Sequence, residues 1–274
     1  MRPGVTPFSA LSARSPRVVS ARKLQRRRAR DQAGLFLAEG PQAVREAAGH
    51  VVELFATAEA LESHGDVVRI CRSGGGEVPV WTVTDAALAA LAETVQPQGL
   101  VAVCRALDVP LAEALARRPR LCAVLCEIRD PGNAGTVLRT ADAAGAGAVV
   151  FAGDAVDPYN GKAVRSSAGS LFHLDVVREP DPFAVVKALK NDGYTVLAAD
   201  GYGPVALYDA PLTNPTAWLF GSEAHGLPPE LASAADHRVR VPLYGRAESL
   251  NLAAAAAVCL YASATEQRSR REVL

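Results

Sequence analysis

The sequence predicts an α/β chain: a smaller mixed domain followed by a larger one with a parallel sheet covered by helices on both faces. Three observations predict it. The last two thirds alternates near-continuous apolar strands with helical segments, the signature of strands buried on both faces. The first third alternates shorter strands and helices. Three of the buried strands also run directly into polar, Gly-bearing segments, at the sheet edge where ligands of open parallel sheets bind.

In chain order, residues 1–15 are rich in Pro, Ser, Gly and Arg with no period, and are expected as a disordered basic tail. Residues 16–107 form the N-terminal domain. It opens with a basic helix over 16–30, then a short strand over 35–38 ending at Glu39-Gly40-Pro41, and a helix to about Ala48. Strands are expected at Val51–Ala56, 67–71 and 78–81, with Gly74-Gly75-Gly76 as a loop, then a helix at Asp85–Leu91 and a strand at Leu100–Arg105. Residues 108–120 read as a linker with a short helix. From 121 to 274 the pattern is strand Leu121–Cys126, helix 133–144, strand 148–151, helix Pro182–Asn191, strands Thr195–Ala199, 217–220 and 238–241, and an Ala-rich helix over 250–265 with Ser249 as its N-cap.

Composition narrows the class. The 274 residues carry 29 Lys+Arg and 29 Asp+Glu. Four of the basic residues are Lys and 25 are Arg, and nine fall within residues 1–30, before the first acid, Asp31. The remainder is left with 20 basic and 29 acidic residues, a net of −9, so the overall zero sums a basic arm and an acidic body. A hydrophobic content of 49% excludes a disordered chain, and no apolar run reaches the roughly 18 residues that suggest a membrane span. The start lacks the apolar core of a secretory signal, although its Arg- and Ser-rich, acid-free composition also fits an organelle transit peptide. Five Cys, at 71, 104, 122, 126 and 259, contain no C-x-x-C and are expected as reduced, buried thiols in the cytosol.

Three loops concentrate the candidate chemistry. Glu127 to Gly135 follows the first buried strand of the larger domain. Gly221-Ser222-Glu223-Ala224-His225-Gly226-Leu227-Pro228 follows strand 217–220. Pro242 to Asn251 follows strand 238–241. Taken singly, Asn133, Ser249 and Asn251 read equally as helix caps, Arg139 as a solvated charge on a face related to that of Asn133, and the glycines as turns. Rival motifs fail. Gly145-Ala146-Gly147 precedes a strand and lacks a third glycine, so a dinucleotide fingerprint is disfavoured. There is no P-loop and no G-x-S-x-G elbow, and the five His show no metal spacing, so no metal is expected.

These residues carry a resemblance. Asp130-Pro131-Gly132-Asn133-Ala134-Gly135-Thr136-Val137-Leu138-Arg139-Thr140-Ala141 resembles the first motif of the SpoU (TrmH-type) RNA ribose 2′-O-methyltransferases, of the SPOUT superfamily. Phe220 to Leu227 resembles the second, and Val241 to Ala253, with Ser249-Leu250-Asn251, the third. Pro158 to Lys162, Arg165 and Ser167-Ala168-Gly169 are similar to a fourth stretch usual in that family. Departures are mild: Leu243 where Met is common, and Ala253 where Ser or Thr often follows.

The resemblance implies an α/β trefoil-knot catalytic domain over 121–274, and a smaller α/β RNA-binding domain resembling ribosomal proteins. It implies S-adenosylmethionine as methyl donor and homodimers formed through the knotted domain. It assigns Arg139, Asn133, Glu223, Ser249 and Asn251 to catalysis. It assigns Gly221, Ser222, Glu223, Gly226, Val241, Leu243, Leu250 and Asn251 to the cofactor. Glu223 is expected to order Arg139 or the loop. For RNA, the residues themselves offer a basic stripe of Arg22, Arg26 and Arg30 at i, i+4 and i+8, with Lys23 and Arg27 beside it, extended by Lys162 and Arg165. The expected activity is methyl transfer to a ribose 2′-hydroxyl of RNA, with ribosomal RNA favoured. The alternatives are a tRNA ribose methyltransferase and a non-catalytic RNA-binding or ribosome-assembly protein on the same fold.

Overall fold

Runs of β-branched and apolar residues form eleven strands in the computed structural model, which describes residues 10–73 and 78–269. The chain divides into two units. One runs to Ala106 and also takes in Tyr159–Gly169; the other holds Leu107–Pro158 and the chain from Ser170 onward. The first break between the units falls between Ala106 and Leu107. The return of 159–169 to the N-terminal unit was not anticipated.

The N-terminal unit is built on β1 (Leu35–Glu39), β2 (Val51–Ala56), β3 (Val80–Thr82) and β4 (Leu100–Arg105), in the order β1-β4-β2-β3. β4 is antiparallel to both of its neighbours, and β3 runs parallel to β2. Two expectations are corrected. Residues 67–71 lie in a helix, Gly65–Ser73. There Val67, Val68 and Cys71 are buried while Arg69 and Ile70 face out, a helical rather than an alternating pattern. The expected tail is also ordered in part: Leu11 forms a bridge to Val83 and packs on the core. Residues 1–9 and the loop at Gly74-Gly75-Gly76 lie outside the described residues.

The basic stripe is broken as well. Helix Pro16–Arg22 passes into a 3₁₀ turn at Lys23–Gln25, Arg26 is extended, and a new helix begins at Arg27. The i, i+4, i+8 phase is therefore lost. Arg30 is buried, 5% exposed, and its Nη1 donates to the Leu24 carbonyl at 2.9 Å, so it is a structural residue. Arg165 is also committed within this unit, with Nη1 3.3 Å from Glu39 Oε2 and 3.4 Å from Glu93 Oε2.

The larger unit carries β5 (Leu121–Cys126), β6 (Ala148–Ala152), β7 (Asp175–Glu179), β8 (Thr195–Ala199), β9 (Val205–Ala206), β10 (Thr216–Phe220) and β11 (His237–Arg240). All pairings are parallel, in the order β7-β6-β5-β10-β8-β11-β9. β7, with charged ends, and the two-residue β9 were not read from the sequence. β5, β6 and β10 are buried at every position, as the apolar runs predict. The final helix, Leu252–Ser269, packs on helix Pro131–Ala144. The buried indole Nε1 of Trp218 donates to Ser263 Oγ on that helix at 2.9 Å, which satisfies a donor that burial would otherwise penalise. All five Cys are free and buried. Burial pushes the thiols of Cys122, Cys126 and Cys259 up to about 12, so they remain protonated.

This order decides where the functional loops fall. β5, β10, β8 and β11 are consecutive neighbours, with Phe220 opposite Leu125, Leu219 opposite Ala198, and Val239 opposite Ala199. Four loops therefore leave the same sheet edge side by side.

Candidate active site

The first of these loops ends in a helix start. Asp130 is the N-cap of helix Pro131–Ala144, its Oδ1 accepting the Asn133 backbone N–H at 2.9 Å, with Pro131 in the first turn. Asn133 is thus not the cap, and its side chain is free for longer-range contacts. Asn133 Nδ2 donates to Glu223 Oε1 at 3.0 Å, and Asn133 Oδ1 accepts from Asn251 Nδ2 at 3.2 Å. Glu223 also accepts the backbone N–H groups of Arg129 and Asp130, each at 3.3 Å. Asn251 in turn caps the final helix, its Oδ1 accepting the N–H groups of Ala253 and Ala254 at 2.9 and 3.4 Å. The expected cap, Ser249, lies two residues before it in the loop. A single hydrogen-bonded path thus runs from Glu223 through Asn133 to Asn251 and joins all three motif loops.

The Glu223 carboxyl feels opposing influences. Partial burial pushes its pKa up. Hydrogen bonds from Asn133 and from the backbone amides of Glu223, Arg129 and Asp130 outweigh that and hold it below the ordinary carboxylate range. Because the folded value lies below the unfolded one, the bridge contributes fully above the ordinary carboxylate range. It is lost as the pH falls through the lowered value. Glu223→Gln places an amide N–H against one of these donors and is expected to cut turnover at this site about tenfold, the low end for charge-assisted bonds at an exposed site. Unchanged steady-state kcat/KM between pH 6 and 9 would remove Glu223 from the site's support.

Motif two is a tight loop. Ser222 and Gly226 exchange backbone hydrogen bonds at 3.1 and 2.9 Å, and Gly226 has φ +67°, a conformation suited to glycine. Gly221 sits against this closure: a Cβ there would lie 2.1 Å from the Gly226 carbonyl carbon and 2.2 Å from the Leu227 nitrogen. Beside the loop opens a cavity of about 480 Å³. Of the expected cofactor residues, Gly221, Ser222, Glu223, Gly226, Val241, Leu243 and Leu250 line it, and Ser249 does too. Asn251 does not line it; its side chain serves the bridge and the helix cap.

Sequence reasoning missed part of the wall, namely Ala199 at the end of β8, Asp200, Gly201 and Tyr202 after it, and Val239, Leu252 and Ala255. Asp200-Gly201-Tyr202-Gly203 is itself a polar, Gly-bearing segment following a buried strand, so the rule that found the other loops could have found this one. Asp200 is held by an ion pair with Arg238 Nε at 2.8 Å.

Arg139 stands apart from this network. Six residues of helix separate it from Asn133, which leaves the two side chains roughly 120° apart around the axis, so they do not share a face. Arg139 is exposed and makes no hydrogen bond or ion pair with any described residue. Glu223 orders the motif-one loop rather than Arg139.

Comparison with known proteins matches the same elements. Residues 120–261 match the model of the SpoU rRNA Methylase family, and residues 15–102 that of the MRM3-like substrate binding domain. The chain is 35% identical over 258 residues to the Bacillus subtilis 23S rRNA (guanosine(2553)-2′-O)-methyltransferase RlmP, covering 91% of this chain and 96% of that protein. Two solved structures, both with AdoMet bound, are similar at TM-score 0.81 and 31% identity. One is an rRNA methyltransferase from Sinorhizobium meliloti, covering 94% of this chain and 95% of that one. The other is the SpoU methyltransferase AviRb from Streptomyces viridochromogenes, covering 93% and 99%. With its three motif loops joined at one edge of a parallel sheet and matched along nearly its whole length, the chain belongs to the SpoU rRNA methylase family.

Proposed function

We propose that this chain methylates a ribose 2′-hydroxyl of 23S rRNA, using S-adenosylmethionine held in the cavity beside motifs two and three. The observation that carries this reading is the bridge from Glu223 through Asn133 to Asn251 at the cavity's edge. A non-catalytic RNA-binding protein has no need to tie these three loops together.

The residues present fit the donor. The cavity's volume lies in the range of small-molecule sites. Val239, Val241, Leu250 and Leu252 supply apolar wall, and Gly221 leaves no room for a side chain where the loop closes. S-adenosylmethionine supplies a methyl group on a sulfonium that departs as a neutral thioether, so the chain need not activate the donor. Its residues must align the hydroxyl and ease the loss of its proton. An arginine is a poor base, since its guanidinium does not give up its proton in proteins. Arg139 instead orients the ribose and an adjacent phosphate and stabilises charge growing on the 2′-oxygen, with that phosphate sharing the proton. Asn133, Asn251 and Ser249 hold the loops and position the substrate.

The N-terminal unit supplies RNA affinity through exposed Arg22, Lys23 and Arg26. Arg27, 3.8 Å from Asp31, is partly neutralised. The working protein is a homodimer formed through its larger unit, which carries the family's trefoil knot, and it acts in the cytoplasm. The test is transfer of labelled methyl from S-adenosylmethionine to 23S rRNA taken from cells lacking the gene. Label is expected at one nucleotide, in an alkali-resistant dinucleotide; label on a base, or on tRNA alone, would refute the reading.

A further inference from the structure

We propose that Tyr244, Gly245 and Arg246 form a hook that takes the target nucleotide from an unpaired stretch of RNA: the Tyr244 ring stacks on a base, and the Arg246 guanidinium meets a phosphate of the same strand. The proposal rests on the reading of the chain as an RNA ribose methyltransferase.

Tyr244 is 91% exposed and makes no hydrogen bond or ring contact with any described residue. Single exposed apolar side chains are common on protein surfaces, so exposure alone decides little. The setting of this one decides more. In the loop after β11, Val241 and Leu243 line the cofactor cavity while Pro242 and Tyr244 do not. That alternation is the one expected of extended chain, and it turns the ring outward one residue from the wall of the cavity. The ring is thus a large flat surface held in water beside the place where the methyl group is delivered.

Arg246 is also exposed, and makes no ion pair with any described residue. Other arginines of the same unit are neutralised: Arg117 by Glu113, Arg129 by Asp154, Arg178 by Asp108 and Arg238 by Asp200. A guanidinium left without a carboxylate is available to an anion, and its planar fork suits phosphate. Between the two, a Cβ on Gly245 would meet nothing within 4 Å, so the approach is open. The chain bends at Gly245 and Arg246, and two residues of chain span at most about 7 Å, so ring and guanidinium lie close enough to engage a base and a phosphate of one strand together. An aromatic ring can stack on a base only where the base is splayed out of a helix, which is how proteins read RNA loops and bulges. The hook thus selects an unpaired target.

The test uses the full-length chain and 23S rRNA from cells lacking the gene, measuring both methyl transfer and filter binding in the presence of S-adenosylhomocysteine. Tyr244→Ala is expected to raise the KM for RNA and weaken binding by roughly 10- to 100-fold, the span of one base–aromatic stack. Tyr244→Phe, which keeps the ring, recovers most of that loss. Arg246→Ala weakens binding and lowers the salt slope by about one phosphate contact. S-adenosylhomocysteine affinity by calorimetry and mass by sedimentation stay as in wild type. Three results would overturn the hook: Tyr244→Ala binding rRNA as wild type does, a parallel loss of S-adenosylhomocysteine affinity that makes the ring a cofactor lid, or a changed mass that makes it a subunit contact. If wild type binds rRNA without methylating it, the proposed function fails, while the difference in binding between the Ala and Phe variants still decides the hook.

Discussion

Gly221→Ala is expected to abolish cofactor binding while leaving most of the chain folded. The added methyl would lie within 2.3 Å of three backbone atoms of Gly226 and Leu227, where no side-chain rotation can relieve the overlap. Either β10 or the closure between Ser222 and Gly226 must move, and both carry the wall of the cavity. Overpacking of this kind costs about 1–3 kcal/mol, with backbone clashes at the upper end, and about 3 kcal/mol corresponds to a fall of several degrees in Tm for a unit of this size. The larger effect is on the ligand: S-adenosylmethionine affinity by calorimetry should fall at least about 100-fold, the equivalent of about 2.7 kcal/mol. Cofactor affinity within a factor of two of wild type would show that the cavity is not the donor site.

Arg139→Ala is expected to have the opposite profile. The side chain is exposed, has no described polar partner and does not line the cavity, so Tm and S-adenosylmethionine affinity should stay as in wild type. Removing a charge that stabilises the growing alkoxide lowers kcat by about 10²- to 10³-fold in comparable anion-stabilising sites. Arg139→Lys should restore little, because a point ammonium cannot span ribose and phosphate as the guanidinium fork does. Single-turnover methylation separates the chemical step from RNA binding. A near-normal single-turnover rate in the Ala variant would remove Arg139 from catalysis.

Much of this site was legible in the sequence because its signals are local. Buried parallel strands are continuous apolar runs, and β2, β4, β5 and β8 fall at their expected bounds. The loops that follow such strands in an open parallel sheet converge at one edge, so the candidate residues could be gathered before any contact was known. The contacts themselves were not legible. Asn133 and Asn251 are 118 positions apart, and only the sheet order β5-β10-β8-β11, with the final helix packed on helix Pro131–Ala144, brings their loops together. The basic stripe failed for a local reason: its phase assumed one continuous helix, whereas the 3₁₀ turn at Lys23–Gln25 rotates Arg30 into the interior. Residues 67–71 failed because Val-Val and Ile favour strands in isolation, while burial of one helical face overrode that preference.

Tyr159–Gly169 belongs by sequence to the methylase half and by packing to the other. Tyr159 stacks on Phe36 with ring centroids 4.7 Å apart, Ala163 and Val164 are buried, and Arg165 is paired with Glu39 and Glu93. The chain therefore passes between the units three times rather than once, and the halves are not separable beads on a string. A fragment beginning at Leu107 would carry away helix Gly161–Ser166 while leaving behind β1, against which it packs. It would expose an apolar patch and a guanidinium stripped of its carboxylates. A single cut at residue 106 therefore strands eleven residues of the smaller unit, Tyr159–Gly169, on the wrong fragment.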